Sequence, residues 1–353
     1  MKNLFLVLLL SIFIISCTQT NTSDGADSTS VEQRLVRKSK GRSDELLVVC
    51  DSELWNESIG ETFRALEDFE FPVCIKPEKA FKSVRYTTID HFSGSNLLFH
   101  NIVVPIILSD QSPTSQYFKD KLTIEDSVDF QIVVTKDVYA LNQQVTYVFA
   151  KNREVFLDLI NPQKMFSYLS DQMADKLSED LFDGRNREAE KAVLVNLDAQ
   201  LTVPRKYEVV VVDSQFCWLR QSASYHNSSV FIYKDKYTEQ PDLLSLVKLR
   251  DRIGETRIFG NQDSTAYMMT SLEKLPVCVQ KPRIDHFVME MRGLWHMKKE
   301  IMGGSFISYA LIDKEDQIIY YIEGFVFAPN EDKAQHLKEF QAILNSFTIN
   351  EYE

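Results

Sequence analysis

The stretch Phe306–Phe327 reads FISYALIDKEDQIIYYIEGFVF, and it decides the fold class. Two runs rich in β-branched and aromatic residues, Phe306–Ile312 and Ile318–Phe327, flank the polar turn Asp313-Lys314-Glu315-Asp316. Long strand-forming runs broken by a short charged turn predict an antiparallel hairpin. Upstream of it, Tyr207–Val212, Phe216–Leu219, Val230–Tyr233 and Phe287–Leu294 are further strand-like runs that follow Pro204. Downstream, Asn330 is placed to cap a last helix. Glu331 and Asp332 fall at that helix's positive end, and Leu337, Phe340, Leu344 and Phe347 supply its apolar stripe.

The residues before Pro204 give a second half and a connector. Leu46–Cys50 reads as a strand, and Asp51 or Ser52 can cap a helix on which Trp55, Ile59, Phe63, Leu66 and Phe69 recur at helical spacing. Asn101–Leu108 and Phe130–Thr135 read as strands, and the stretch Val145–Ile160 ends at Asn161-Pro162. Beyond it, Phe166, Leu169, Met173, Leu177 and Leu181 mark a long amphipathic helix, a stripe that belongs to a core or a partner surface more often than to a cofactor box. Hairpins and isolated helices, without steady strand–helix alternation, predict an α+β fold: two halves with antiparallel sheets covered by helices, joined by a long amphipathic helical segment. The expected divisions are a leader over 1–16, a tether over 17–43, a first half over 44–160, a helical connector over 161–203 and a second half over 204–353. Pro72-Val73-Cys74 and Ile89-Asp90-His91-Phe92 recur as Pro276-Val277-Cys278 and Ile284-Asp285-His286-Phe287, at unequal gaps, so an internal duplication stays an open reading.

The first 17 residues carry an address. Lys2 precedes Leu4–Ile15, in which only Ser11 is not apolar. That run is long enough for a signal-peptide core and too short for a spanning helix, which needs about 20 residues. Ile14-Ile15-Ser16-Cys17 resembles the lipobox of bacterial lipoproteins, with an isoleucine where leucine is commonest. The resemblance implies cleavage before Cys17 and lipidation of its thiol, and two or three acyl chains suffice for stable anchoring. The expected partners are a lipid bilayer, through acylated Cys17, and an envelope protein or other envelope component. Thr18, where aspartate would signal inner-membrane retention, points to the outer membrane, with the periplasmic or surface face undecided.

Charge excludes one class of partner. The chain has a formal net charge of −12, and without Lys2 the balance is 38 basic to 51 acidic residues. Such a chain lacks the clustered basic surface that binding to phosphate backbones requires, so no nucleic-acid partner is expected. Thr18–Ser30 is rich in Ser, Thr, Asn and Asp, and Arg34, Arg37, Lys38, Lys40 and Arg42 follow it. As a coil, this tether would hold the body about 25–30 Å from the membrane, with its cations within reach of anionic head groups. Cys50, Cys74, Cys217 and Cys278 allow three disulfide pairings, and buried thiols are slightly favoured over any of them.

Chemical motifs are sparse. The sequence has no H-E-x-x-H, no G-x-S-x-G elbow, no G-x-x-x-x-G-K-[ST] loop, and no C-x-x-C or His/Cys cluster at zinc spacing. No catalytic residue, cofactor or metal is expected. The candidates to inspect are the Asp90-His91 and Asp285-His286 pairs, since a carboxylate can orient an imidazole base, although neighbours on a strand point to opposite faces. Gly303 and Gly304 could let the backbone curl around an anion, with a turn or bulge as the plainer reading. Trp295, with Tyr309, Tyr320, Tyr321, Phe325 and Phe327, could line a groove or pack a hairpin.

Two motifs carry a family resemblance. Ser43–Val49 followed by Trp55, and above all Arg292-Gly293-Leu294-Trp295 with Met302-Gly303-Gly304-Ser305-Phe306-Ile307-Ser308-Tyr309, resemble an uncharacterised lipoprotein family of Gram-negative envelopes known as domain of unknown function 4837. The likeness is read from Ser43 to the C-terminus and implies an envelope setting, with no catalytic or binding residues to carry over. The second half also distantly resembles the helix-covered antiparallel sheet of the PsbP and Mog1 type, whose members mostly act as accessory or binding modules.

Overall fold

The apolar runs fold into two large sheets, beside a small two-stranded one formed by Thr348–Ile349 and Ala199–Gln200. The computed structural model describes residues 37–71, 76–122, 129–236, 240–260, 265–281 and 287–350. Cys17, Cys74, Asp285, His286 and the tether before residue 37 lie outside these. In the first half the elements are β1 (Glu45–Val49), α1 (Ser52–Asn56), α2 (Ser58–Arg64), β2 (Ser83–Thr87), β3 (Asn101–Ile107), α3 (Pro113–Lys121), β4 (Phe130–Lys136) and β5 (Gln144–Ala150). Then come α4 (Arg153–Leu159), α5 (Pro162–Phe182) and α6 (Arg187–Leu197). The second half holds β6 (Ala199–Gln200), β7 (Glu208–Val212), β8 (Phe216–Ser222), β9 (Asn227–Lys236), α7 (Leu243–Arg257), β10 (Met268–Ser271) and β11 (Val277–Lys281). It closes with β12 (Phe287–Met297), β13 (Gly303–Asp313), β14 (Ile318–Phe327), α8 (Ala334–Asn345) and β15 (Thr348–Ile349).

The α+β class is what the structure shows, and the second half carries the antiparallel sheet. Its eight strands run β10-β12-β13-β14-β9-β8-β7, with β11 also on β12. The hairpin read from Phe306–Phe327 is β13–β14, in register from Phe306↔Phe325 to Asp313↔Ile318. One face packs on α6 and α8 through Ile307, Tyr309, Leu311, Leu337, Phe340 and Leu344, and the other on α7 through Phe306, Tyr321, Leu246 and Ile253. Both faces are therefore covered, which is why β13 and β14 read as continuous apolar runs. Burial of a large apolar side chain such as Leu337 or Phe340 contributes about 1.5–3 kcal/mol.

The first half differs in detail. Its sheet runs β2-β1-β3-β5-β4, and β1 pairs parallel with both β2 and β3, as does β3 with β5. Only β4 is antiparallel, in a hairpin with β5. The expectation of an antiparallel sheet here came from counting helices as isolated. The long connections through α1, α2 and the turns after β2 instead carry the chain back across the sheet, and parallel pairing needs such crossovers. Every residue of β3 and β5 is buried.

Residues 37–43, read as tether, are attached to this half. Ser39 N donates to Leu141 O at 2.8 Å, Lys40 N donates to Leu98 O at 2.6 Å, and Arg42 grips the Asp44 carboxylate with two bonds of 2.8 Å. Residues from Arg37 onward form one compact unit, in which α5 packs against α8. No helix among the described residues is long and apolar enough to cross a membrane.

Candidate functional site

The junction of the two halves is organised by α8. The sequence places a cap at Asn330, but the helix begins at Ala334, after Lys333. Glu78 of the first half does the capping: its carboxylate accepts from Lys333 N at 2.9 Å and from Ala334 N at 2.6 Å, at the positive end of the helix. Lys338 Nζ donates to Ala80 O at 2.8 Å, and the Arg292 guanidinium lies over the Phe71 ring at 5.2 Å. Arg292 also donates to Glu290 at 2.5 Å and to Gln341 at 3.0 Å. Burial would push the Glu290 carboxyl up, but Arg292 and Lys281 hold it below the ordinary glutamate value.

Two hollows flank this helix. One, of about 220 Å³, is walled by Phe71, Phe81, Phe166, Met173 and Leu177, with Arg292, Lys338 and Gln341 on its second-half side. Of the stripe read on α5, Leu169 and Met173 belong to the first half's core, and Phe166, Met173 and Leu177 also wall the pocket. The other is an open cleft of about 600 Å³ bounded by Arg42, Ser43, Asn330, Glu331, Asp332, Gln335 and His336. At its edge stand two imidazoles and a carboxylate. His226 Nδ1 is 3.0 Å and His336 Nε2 3.1 Å from Glu331 Oε2. Burial lowers the His336 imidazole below the ordinary histidine value.

A parallel sheet offers a further location, the carboxyl ends of its strands where the order reverses. Here Arg153 occupies the space beyond β1, β3 and β5. It donates to Asp110 at 3.1 and 3.2 Å, to Glu53 at 3.1 Å and to Glu57. Asp51 Oδ1 is turned to Thr114 N at 3.4 Å.

The sequence candidates are scattered. Asp90 and His91 sit exposed in a short 3₁₀ turn, where His91 Nδ1 faces Thr88 Oγ1 at 3.0 Å. Asp285 and His286 lie outside the described residues. Trp295 is 3% exposed and donates its indole N–H to Val326 O at 3.2 Å. Gly303 and Gly304 begin β13 rather than a loop, and a Cβ on Gly304 would meet Val326 O at 1.9 Å. Tyr309, Tyr320, Tyr321 and Phe325 are core residues, so they line no groove. Cys50 and Cys217 are buried free thiols that burial pushes up to about 12, and Cys278 is a partly buried one.

Sequence reading missed His226, Glu331 and His336. His226 and Glu331 are 105 residues apart, and no local spacing links them. The available signal was Glu331 five residues before His336 at a helix start, which reads equally well as ordinary helix capping.

Comparison with known proteins bears on family and fold. Residues 186–346 match the family described as Domain of unknown function (DUF4837), and residues 39–177 match a different one, Domain of unknown function (DUF8532). The family likeness read from Arg292–Trp295 and Met302–Tyr309 is thus present, but over residues 186–346 and not from Ser43 onward. The Ser43–Val49 motif falls in the other match. No curated protein matches the sequence. Solved structures with likeness include the Ran-binding protein Mog1p of Saccharomyces cerevisiae, at 10% identity and TM-score 0.29 over 43% of this chain and 90% of that one. LpqN, involved in cell envelope biogenesis of Mycobacterium tuberculosis, gives 9% and 0.28 over 42% and 82%. The lipid transfer and protein localization domain of human StarD13 gives 11% and 0.20 over 40% and 89%. At this distance none of the three bears on function.

Proposed function

We propose that this chain is a lipid-anchored envelope protein, held through Cys17 in the outer membrane, that works as a non-enzymatic accessory module by binding an envelope component at the junction of its halves. The observation that carries the reading is the pocket beside α8. Its wall is aromatic and aliphatic, its far side is cationic and amide-bearing, and both halves contribute to it. Apolar walls with a few convergent polar groups are the usual chemistry of a binding pocket. At about 220 Å³ the pocket is smaller than the ~300–1,000 Å³ of sites for drug-sized ligands. That size suits one apolar group, such as a short acyl segment, with its polar end at Lys338 and Gln341. The acidic body and the lipobox-like Ile14–Cys17 support the envelope setting.

The test is purification of the full-length protein from its own envelope in mild detergent, with mass spectrometry of whatever accompanies it. The parallel preparation is Ala174→Trp, whose indole would fill the pocket that Ala174 lines. One component is expected near stoichiometry with the wild type and at least tenfold depleted in the variant, at an unchanged melting temperature. Equal retention by both proteins, or none by either, overturns the pocket as the binding site. The mass of the mature N-terminal peptide separately tests the lipid on Cys17.

A further inference from the structure

We propose that His226, Glu331 and His336 form a binding site for one divalent transition-metal ion of the zinc class. The three come from different elements of the second half. His226 ends the turn between β8 and β9, which Ala223 N closes by donating to His226 O at 3.0 Å. Glu331 lies in the turn after β14, tied by its own N–H to Ala328 O at 3.3 Å. His336 sits in the first turn of α8. Their ligand atoms all lie within 4.8 Å of one another, and the two imidazole rings stand edge to face with centroids 4.6 Å apart.

Magnitudes favour coordination over accident. Zinc binds imidazole nitrogen at about 2.0–2.1 Å and carboxylate oxygen at about 2.0–2.2 Å, so adjacent ligand atoms of a tetrahedral site stand roughly 3.3–3.5 Å apart. The two nitrogen-to-oxygen distances here are 3.0 and 3.1 Å, a few tenths of an ångström short of that spacing. A metal would take the place of the contacts that these two ring nitrogens now make with Glu331 Oε2. On the far side of the His336 ring, Ser228 Oγ lies 3.3 Å from Nδ1, placed to accept its N–H when Nε2 binds a metal, whereas the Gln221 amide nitrogen, itself a donor, lies 3.5 Å from His226 Nε2. An outer acceptor of the Ser228 kind fixes ring orientation in metal-binding histidines, and Ser228 is itself 1% exposed.

The donor set selects the ion. Two nitrogens and one oxygen suit zinc and its first-row neighbours, whereas calcium and magnesium call for oxygen. Three protein ligands leave a coordination position open, and Glu331 and His336 both face the 600 Å³ cleft through which water or a ligand's donor atom can reach it. Bound metal would tie the β8–β9 turn to the start of α8, the same helix that Glu78 caps from the other half.

The experiment uses the full-length protein in detergent, carrying an affinity tag free of histidine and stripped with a chelator. Cobalt(II) is titrated in while its visible d–d absorption is followed, and zinc(II) is then added in competition. Saturation at one cobalt per chain, displaced by one zinc, is expected. The His226→Gln, Glu331→Gln and His336→Gln variants should each weaken binding at least tenfold, while His91→Gln and His296→Gln leave it unchanged. Melting temperature, measured without metal, separates lost ligation from lost folding, and zinc should raise it only where the three ligands are intact. Binding below one equivalent, or binding as tight in the His226→Gln/His336→Gln double variant as in the wild type, overturns the proposal.

Discussion

The two halves place their arginine–carboxylate clusters in opposite surroundings. In the first, Arg153 gathers Asp110, Glu53 and Glu57 at the rim of the parallel sheet, where Arg153 is 36% and Glu53 71% exposed. In the second, Arg250 of α7 donates to Glu323 of β14 at 2.8 and 2.9 Å, and both side chains are fully buried. Arg250 also reaches Thr270 Oγ1 at 3.1 Å and lies 4.0 Å over the Phe306 ring, and Tyr321 donates to Glu323 at 2.9 Å. Burial pushes the Glu323 carboxyl above its ordinary value even with Arg250 beside it. A parallel sheet can leave charge at its strand ends. The second half's sheet, covered on both faces, encloses a polar anchor for α7, and that anchor must be complete.

The sharpest way to break this contrast is to remove one cation from each half. Arg250→Met strands a buried carboxylate, and losing one partner of a buried pair costs about 3–5 kcal/mol. Arg153→Met removes a solvent-screened network, for which about 1 kcal/mol or less is expected. Chemical denaturation midpoints of the two variants against wild type measure both. Equal shifts would mean that the buried pair is no more than a surface one in energy.

A smaller effect is expected at a backbone contact. Gly304 lets β13 approach so closely that an added Cβ would lie 1.9 Å from Val326 O and 3.0 Å from Trp295 Nε1. Gly304→Ala should cost about 1–3 kcal/mol by overpacking and should disturb the Trp295–Val326 hydrogen bond. Gly184, between α5 and α6, has nothing nearer than 3.5 Å, from the Arg205 side chain, and Gly184→Ala should be near neutral. Thermal melts with tryptophan fluorescence distinguish the two. A fluorescence change in Gly184→Ala and none in Gly304→Ala would reverse this reading.

The same contrast explains what the sequence disclosed. The β13–β14 hairpin was legible because Asp313–Asp316 is a local turn signal, and the last helix because Leu337, Phe340 and Leu344 repeat at helical spacing. The parallel pairing of Leu46–Val48 with Asn101–Val103 was not, because residues about 55 apart are brought together by crossovers that leave no mark on either strand. Met302-Gly303-Gly304-Ser305 was legible as special but not as to cause: the glycines serve a close strand contact, which depends on Val326 two strands away from Trp295. His226, Glu331 and His336 escaped for the same reason as the parallel sheet. Their proximity is set by the register Asn227↔Phe327, which brings the turn before β9 beside the end of β14.

The smallest effect concerns where the tether stops. Burial would push Asp44 up, yet Arg42, through paired hydrogen bonds and charge, holds it below the 3.8 of a free aspartate. A carboxylate depressed in the folded state adds stability that is whole above its unfolded pKa and is lost as pH falls through the lower folded value. Arg42 is 43% exposed, so solvent screening limits the contribution to about 1 kcal/mol. Arg42→Ala should therefore be less stable than wild type by about that amount at pH 6, with the gap closing as the pH is taken below the ordinary aspartate range. It should also be cut faster by protease within residues 37–43, since the segment would then be held only by its other hydrogen bonds, among them those of Ser39 and Lys40 to Leu141 and Leu98 and of Asn101 to Ser43 O. A stability gap that does not change with pH would mean that the pair contributes by packing rather than by charge. Unchanged proteolysis would mean that the segment's other hydrogen bonds are enough to seat it without the Arg42 side chain.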